Sequence, residues 1–346
     1  PKYTRAKCKI AIPIRNFGYN IPALLTAAAG EIHYYDLFIS IKLLDIQYPK
    51  HFIDNMPGPA YGPEGMREVL GIKEDRPILI AVVKPSLCPA EMFAELAYEA
   101  LIGGADIVKD DELLSDIPDS PLAERARLVV AAVKKAEQVT GKKKMYQLNI
   151  TTSVSNLEAL YKIGKEIGVD CLMVNAMAIG LSSTRMVREF IDIPLASHFD
   201  LTACNAKVPF FGVGHKVFAT LHRMAGIDNL IMPAYASTYA EFEQDIDEEV
   251  QSCRKELYGM KETMPIFGGG VRAGNIPEIL KISQSNRIGL IIGHGIFAHP
   301  DGPKAGAASI LQSWEAYRDG VTLQEYAKTH KELKSALDHF EGHFEG

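Results

Sequence analysis

The chain has few cysteines, and they are not arranged to bind a metal or to form a disulfide framework. Its 346 residues include five cysteines, an odd number, at widely separated positions and without a C-x-x-C pair. Zinc sites and disulfide scaffolds need closely paired or regularly spaced cysteines, so both are disfavoured. We therefore expect buried free thiols and a reducing, cytoplasmic setting.

Excess positive charge and long apolar runs are also missing. The net charge is -6, which gives no electrostatic footprint for nucleic acid. No apolar run approaches the roughly 20 residues of a membrane span, and no signal peptide is recognisable. The first residues, PKYTRAKCKIAI, begin as if inside a strand, so we expect a segment to precede them. The composition, 47% hydrophobic and 23% charged, is typical of a globular protein without nucleic-acid or membrane partners.

Residues 1–75 have an irregular pattern. We predict a strand over 8–14, a helix over 20–32 that follows Pro22, and a strand over 37–48. A Pro/Gly-rich linker then leads into a short helix within 56–72. Strand, helix and strand with little repetition indicate a small α+β domain, a ferredoxin-like remnant, followed by its linker.

Residues 76–320 are regular, because eight short apolar runs alternate with amphipathic helical stretches. This count is typical of a (β/α)₈ TIM barrel, and the first run lacks the G-x-G-x-x-G of dinucleotide-binding sheets. We therefore predict an α/β protein whose C-terminal barrel follows the small α+β domain, with residues 321–346 as a helical tail outside the barrel. The predicted strands cover 78–83, 105–109, 144–150, 171–176, 194–198, 229–233, 264–269 and 288–293.

Polar residues stand at the carboxyl ends of successive predicted strands, where TIM barrels place their active sites. Alone, the run KDDE would be a solvated helix start, and a single histidine would be a core residue. Their coincidence at five neighbouring strands indicates a real site. In chain order the residues are Lys84, then Lys109 with Asp111 and Glu112, then Asn149 and Thr151, then Asn175, then His198.

Metal and phosphate binding follow from the residue types at these ends. Asp111 and Glu112 offer the hard oxygen ligands that Mg²⁺ prefers. Two glycine-rich runs follow the seventh and eighth strands, where barrels often bind phosphate through backbone N–H groups. The pattern therefore predicts a Mg²⁺-assisted enzyme that acts on a phosphorylated small molecule. The runs consist of Gly268, Gly269 and Gly270, and of Gly293, His294 and Gly295.

At this point the motifs resemble a known family. GGADIVKDDE (103–112) resembles the signature of the ribulose-bisphosphate carboxylase (RuBisCO) large-chain superfamily. VVKPS, MPIFGGGV and IIGHGIFAHPDGPKAGAAS follow in the order and spacing of that family. NIPALLTAAAGE and PGPAYGPEGMREVLGI also resemble its N-terminal domain and linker, so the similarity covers nearly the whole chain.

The resemblance implies a metal site built on a modified lysine. In carbamate-using members of the family, the lysine of this motif reacts with CO₂ and joins the two acids as a Mg²⁺ ligand. By similarity, Lys109 would be carbamylated, Asp111 and Glu112 would complete the site, and Asp110 would be a spacer that points away. CO₂, as the carbamate, would then be a cofactor beside Mg²⁺.

The resemblance also implies roles for two further residues and a position for a third, Glu31. Lys84 matches the lysine that transfers protons beside the substrate, and His198 matches a histidine near the same substrate oxygens. Glu31 is a second candidate for the general base, supplied across a homodimer interface, because in the family the N-terminal domain closes the partner's barrel.

Several positions depart from the pattern of the carboxylases. Ser86 replaces the second lysine of KPK, Phe199 and Thr202 replace the arginine and second histidine of HRxxH, and His294 interrupts a glycine run. The loop after the sixth strand, within 233–245, has no lysine, whereas the carboxylases hold the CO₂ being fixed with one. These departures predict a RuBisCO-like protein, the form IV, non-carboxylating branch.

The substrate stays open among relatives that share an enolate-forming step. KDDELLSDIPDSPLAERA and AHPDGPKAG look nearest to a decarboxylase of a branched 3-oxo sugar-acid phosphate. NIPALLTAAAGE and GVGHKVFATLHRMAG also suit the 2,3-diketo-5-methylthiopentyl-1-phosphate enolase, and the methylthioribulose-phosphate isomerase belongs to the same branch. A non-catalytic regulatory protein that binds a phosphorylated metabolite is the alternative from another class, and a true carboxylase is the least favoured reading.

Overall fold

A closed barrel of eight parallel strands forms the centre of the protein. The computed structural model describes residues 4–235 and 243–340. Each strand pairs with its neighbours in chain order, and the eighth pairs with the first through Gly289 and Ile78. All eight predicted strands are confirmed, each shortened by at most two residues at either end. They are β1 (Ile78–Val82), β2 (Ile107–Lys109), β3 (Met145–Asn149), β4 (Cys171–Val174), β5 (Leu195–Ser197), β6 (Asn229–Pro233), β7 (Met264–Gly268) and β8 (Gly289–Ile292).

The strands read as continuous apolar runs because both of their faces are buried. Ile78 and Ile80 of β1 point into the barrel and pack with Ile107 of β2. Leu79 and Ala81 point outward into the layer between the barrel and its helices. Alternation of side chains along each strand therefore assigns every strand residue to the interior or to the helix-facing layer.

Helices surround the barrel and connect its strands. Within the described residues they are α1 (Ile21–Ala29), α2 (Lys50–Ile53), α3 (Gly62–Leu70), α4 (Ala90–Gly103), α5 (Leu122–Thr140), α6 (Leu157–Ile167), α7 (Ala176–Ile179), α8 (Leu181–Phe190), α9 (Thr202–Ala206), α10 (His215–Met224), α11 (Glu243–Arg254), α12 (Ile276–Ser283), α13 (His294–Phe297), α14 (Gly302–Arg318), α15 (Leu323–Tyr326) and α16 (Lys331–Phe340). Short 3₁₀ helices cover Ile14–Asn16, Glu31–Tyr34, Val154–Asn156 and Ala273–Asn275. In this part of the chain no helix is both long and apolar enough to cross a membrane.

The N-terminal segment differs from its prediction. Helix α1 is confirmed and begins at an Asn20 cap, whose side chain accepts a hydrogen bond from the Ala23 N–H at 2.9 Å. The predicted strand over 8–14 is wrong, and that over 37–48 is reduced to Lys42–Leu43. A strand needs a partner to satisfy its backbone, and Lys42–Leu43 finds one only at the two residues Gly212–Val213.

The described part of residues 1–75 shares its core with the barrel helices. Leu24 and Phe52 belong to the same buried cluster as Phe218 and Leu221 of α10. The only strand residues described in this segment are Lys42–Leu43, so no sheet of its own is found there. The division into domains at 75 and 320 stays a prediction.

The described part of the C-terminal tail, residues 321–340, packs outside the barrel and contains two helices. Helix α15 ends at Tyr326 and α16 begins at Lys331. Leu333, Leu337 and Phe340 of α16 are buried in the outer apolar layer. The tail therefore covers α14 and the 3₁₀ helix that follows β7.

Candidate active site

Four charged side chains converge at the carboxyl ends of β1 and β2. Lys109, the last residue of β2, is fully buried, and it points into the barrel because Ile107 does. Its Nζ atom lies 3.6 Å from Oε2 of Glu112. Lys84, just after β1, forms an ion pair with Oδ2 of Asp111. The sequence prediction that these strand ends meet is thus matched by the geometry.

The Lys109 amine is in an unfavourable state as an ammonium group. Within residues 4–235 and 243–340, its Nζ is buried without a hydrogen-bond partner. Burial lowers the pKa of Lys109 below that of an ordinary lysine, and the carboxylates of Glu112, Asp111 and Asp110 only partly offset this effect. A buried, unsatisfied charge is costly, so this position favours a neutral or modified amine.

A backbone framework holds the two acids in place. The side-chain amide of Asn149 donates to the carbonyl oxygens of Asp111 and Glu112, at 3.1 and 3.0 Å. The Asn175 amide donates to the same Glu112 carbonyl at 3.1 Å, and the Asn175 N–H donates to Oγ1 of Thr151 at 2.9 Å. The polar residues at the ends of β3 and β4 therefore position the acids.

Asp110 points away from the site, as expected, but it is more than a spacer. Its carboxylate accepts hydrogen bonds from the Arg125 guanidinium at 3.2 Å and from the Tyr146 hydroxyl at 2.6 Å. Burial disfavours the charge on Arg125, yet Asp110 raises the pKa of that guanidinium. This anchor was missed from the sequence, although an arginine on the apolar face of α5 was a usable signal.

His198 lies between two carboxylates. Its Nε2 is 3.5 Å from Oε2 of Glu112, and its Nδ1 is 3.1 Å from Oδ1 of Asp200. The ring stacks on Phe199, with centroids 4.4 Å apart. Burial would raise the pKa of Glu112, but Lys109 and His198 lower it below the ordinary value for a glutamate. Asp200 was not singled out from the sequence, and only its position beside His198 pointed to it.

The two glycine runs lie next to each other, and Gly293 of the second run lies next to Lys84. A Cβ on Gly293 would be 3.7 Å from Cε of Lys84, and one on Gly295 would be 2.8 Å from the carbonyl oxygen of Val271. Gly269 and Gly270 have φ angles of +86° and +71°, a region that favours glycine. Their role in phosphate binding stays a prediction.

Two of the predicted phosphate-binding residues, Gly268 and His294, make contacts with other parts of the protein. Gly268 is the last residue of β7, and its carbonyl accepts a hydrogen bond from the Ala234 N–H at 2.8 Å. The exposed His294 packs its ring against Phe340 of α16, with centroids 5.5 Å apart. The His294 side chain therefore contacts the C-terminal tail, and its part in phosphate binding stays a prediction.

Other predicted positions are separate from this cluster or lie outside the described residues. Glu31 is exposed in the 3₁₀ helix Glu31–Tyr34, and its carboxylate has no ion pair with another described residue. Its action across a subunit interface stays a prediction. The lysine-free loop within 233–245 includes residues 236–242, which lie outside the described residues.

The residues fit Mg²⁺ only if Lys109 is modified. The described ranges contain no ready group of three or more His, Cys, Asp or Glu side chains. With both lysines charged, Lys84 and Lys109 balance the charges of Asp111 and Glu112, and little attraction for a cation remains. A carbamate on Lys109 would replace a positive charge by a third anionic oxygen ligand, the type that Mg²⁺ prefers.

Comparison with known proteins gives consistent matches. The sequence model described as "Ribulose bisphosphate carboxylase large chain, catalytic domain" matches residues 64–340. The ribulose bisphosphate carboxylase-like protein of Allochromatium vinosum is 40% identical over 97% of this chain and 74% of its own length. That of Chlorobaculum tepidum is 38% identical over 97% and 78%. The octameric RuBisCO of Pyrococcus horikoshii, solved with sulfate, superimposes with a TM-score of 0.91 at 28% identity, over 96% of this chain and 79% of its own.

Proposed function

The chain belongs to the family of RuBisCO large chains, and from that premise we propose that it is a Mg²⁺-dependent enzyme that does not fix CO₂. Its reaction would form an enolate from a phosphorylated keto-sugar or keto-sugar acid. The observation that carries this proposal is the fully buried Lys109 amine, which has no hydrogen bond among the described residues and has Glu112 at 3.6 Å.

Carbamylated Lys109, Asp111 and Glu112 would hold the metal. When bound, Mg²⁺ supplies Lewis-acid polarisation of the carbonyl beside the carbon that loses a proton or CO₂. Asn149 and Asn175 fix the backbone of the two acids through their carbonyl oxygens. The metal ligands therefore rest on hydrogen bonds that do not involve their own carboxylates.

Lys84 is our candidate for the group that moves the proton. Its side chain is 42% exposed, whereas Lys109 is fully buried, so a substrate that enters from the open end of the barrel meets Lys84 first. His198 presents Nε2 towards Glu112 and would contact the substrate oxygens. Glu31 of the partner subunit stays a second candidate base in the proposed homodimer.

Backbone groups would bind the phosphate. The candidates are Gly269 and Gly270 after β7 and Gly293 and Gly295 after β8, and a Cβ on Gly293 would be 3.7 Å from Cε of Lys84. Anions bind well to clustered backbone N–H groups of this kind. A phosphate there would place the rest of the substrate over the cluster formed by Lys84, Lys109, Asp111 and Glu112.

CO₂ fixation is excluded from our proposal because this chain lacks several residues of the carboxylase pattern. No lysine occurs in the sequence from 233 to 245, and Ser86, Phe199 and Thr202 replace charged or basic residues of the carboxylase pattern. Decarboxylation of a 3-oxo sugar-acid phosphate, enolisation and isomerisation all use the same enolate. We therefore propose the shared step and leave the choice among the three reactions to a substrate panel.

Solvent exchange tests the proposal directly. The wild-type protein, with Mg²⁺ and bicarbonate, should exchange the α-hydrogen of at least one ketose phosphate in D₂O, or release CO₂ from a 3-oxo acid phosphate. Lys109→Ala should abolish the activity, and Lys84→Ala should block exchange. Lys143→Ala is the matched control, because Lys143 pairs with Glu137 at 2.9 Å just before β3, at the opposite end of the barrel.

Three outcomes would contradict the proposal. Full Mg²⁺-dependent exchange in Lys109→Ala would eliminate the carbamate. Incorporation of ¹⁴CO₂ into product in the presence of ribulose bisphosphate would show that the protein is a carboxylase. Binding of a ketose phosphate without exchange or decarboxylation, across the panel, would favour the regulatory alternative.

A further inference from the structure

From the interior of the barrel we infer that Gln147 of β3 positions the carbamate of Lys109 by donating its Nε2–H to a carbamate oxygen. Gln147 would be a positioning residue, since it acts on the modified lysine and not on the substrate. The inference rests on the proposed carbamylation of Lys109 and adds a partner for it.

The strand register places Gln147 beside Lys109. Lys109 of β2 is aligned with Gln147 of β3, and Gln147 is aligned with Cys171 of β4. Neighbouring strands lie about 4.8 Å apart, and aligned residues share a face. Met145 and Cys171 are part of the interior cluster, so Gln147, two residues after Met145, also points into the barrel. Lys109 and Gln147 therefore lie side by side in one interior row.

Both side chains carry a buried donor that makes no hydrogen bond to the described residues. Gln147 is fully buried, and its Nε2 has no hydrogen-bond partner among the residues that the structure describes. Its Oε1 faces the thiol of Cys171 at 3.8 Å. The Lys109 Nζ is likewise buried without a hydrogen bond to a described residue, and Oε2 of Glu112 lies 3.6 Å from it. Two adjacent unsatisfied donors are an unusual arrangement, and an acceptor attached to Lys109 would give the Gln147 donor a partner.

Neighbouring amides are already committed elsewhere. The Nδ2 atoms of Asn149 and Asn175 donate to the backbone of the two acids. On the other side of Lys109, the aligned residue of β1 is Val82, which has no polar side-chain atom. Asn229 of β6 directs its Nδ2 to the sulfur of Met66 at 3.4 Å. Gln147 is thus the neighbour in register with Lys109 that can still donate.

Carbamylation creates the missing acceptor. The Lys109 ammonium loses one proton, and the free amine attacks CO₂, so that an N–C bond forms as one C–O π bond breaks. Loss of a second proton leaves the carbamate anion, with both protons passed to solvent. A hydrogen bond from a neutral amide to this anion is charge-assisted and stronger than a neutral one. Gln147 therefore stabilises the modified form over the free amine.

The test measures the carbamate itself. The full chain is incubated with Mg²⁺ and increasing ¹³C-bicarbonate at fixed pH, and the lysine carbamate is quantified by ¹³C NMR. Gln147→Met keeps the length of the side chain and removes the donor. It should raise the CO₂ concentration for half-carbamylation about tenfold or more, the effect expected when a hydrogen bond to a charged group is lost. Asn229→Leu, the same change at another interior amide, should shift it less than about twofold.

An isosteric variant keeps the test decisive if Gln147→Met fails to fold. Gln147→Glu retains the shape and places an anion beside Lys109, so it should suppress the carbamate. Wild-type CO₂ dependence in a folded Gln147→Met or Gln147→Glu would overturn the role of Gln147 and leave the carbamylation of Lys109 intact. Absence of a carbamate in the wild-type protein at every CO₂ concentration would overturn both.

Discussion

Replacement of Arg125 by methionine should destabilise the protein by about 3–5 kcal/mol, because it would leave the Asp110 carboxylate buried without its cation. Asp110 and Arg125 are both fully buried, and their closest charged atoms are 3.2 Å apart. Arg125 also donates to the carbonyl oxygens of Ser120 at 2.6 Å and of Ser115 at 2.9 Å. The arginine therefore ties the segment after Glu112 to helix α5.

A double-mutant cycle separates two parts of the lost free energy of unfolding: the lost hydrogen bonds of Arg125 and the cost of leaving Asp110 charged without a cation. Asp110→Asn with Arg125→Met leaves neither charge alone, so it should be less destabilising than the sum of the single changes, with a coupling of at least about 1 kcal/mol. Tyr146 and the Asn149 N–H still contact position 110. This remaining support limits the damage to about the stated range.

Urea unfolding followed by circular dichroism measures these differences, with the slope compared among variants. Arg127→Met is the matched control, because Arg127 lies on the exposed side of the same helix and should change stability by less than about 0.5 kcal/mol. A loss below about 1 kcal/mol in Arg125→Met would refute the reasoning, since the buried carboxylate would then not depend on its guanidinium.

Three further predictions concern other parts of the molecule. If Glu31 acts across a dimer interface, mixing the inactive variants Glu31→Gln and Lys109→Ala should form mixed dimers and restore up to about a quarter of the wild-type activity. If no activity returns, Glu31 acts in the site of its own chain or has no part in catalysis. Burial raises the pKa of Asp170 to about 6, so its ionisation lowers the free energy of unfolding progressively from about pH 4 to pH 6 and fully above pH 6. Asp170→Asn should therefore stabilise the protein above pH 6 by up to about 3 kcal/mol. Thermal melts should show no gain below about pH 4. Gly293→Ala should fold normally, because its Cβ would make an ordinary 3.7 Å contact with Lys84, but should raise KM for the phosphorylated substrate; an unchanged KM would remove Gly293 from the phosphate site.

The barrel could be predicted from the sequence because its strands are buried on both faces. Runs such as 78–83 and 229–233 are continuously apolar and separated by amphipathic helices, so local pattern and tertiary environment agree. The prediction of a strand over 37–48 was mostly wrong because here the local pattern and the tertiary environment disagree. Its apolar residues form a strand only where Lys42–Leu43 meets a partner, and the sequence does not identify that partner.

The site was predicted where chemistry follows directly from residue type. The candidates Lys84, Lys109, Asp111 and Glu112 are recognisable because they stand at the ends of buried strands, and charged residues are rarely buried. The supporting contacts were missed, since they join residues that are distant in the chain. Asp110 meets Tyr146 from 36 positions away, and Gln147 reads as an ordinary strand residue until its register with Lys109 is known.

The dependence of Mg²⁺ affinity on CO₂ tests the central claim most directly. In the unmodified protein Lys84 pairs with Asp111 and Lys109 offers no anionic oxygen, so Mg²⁺ should bind weakly. Carbamylation of Lys109 adds a negative charge and supplies a third ligand. Calorimetric titration should show Mg²⁺ binding at least about tenfold tighter with saturating CO₂ than in CO₂-free buffer, and Lys109→Ala should remove the difference. Equal affinity with and without CO₂ would contradict the carbamate site and the enzyme mechanism built on it.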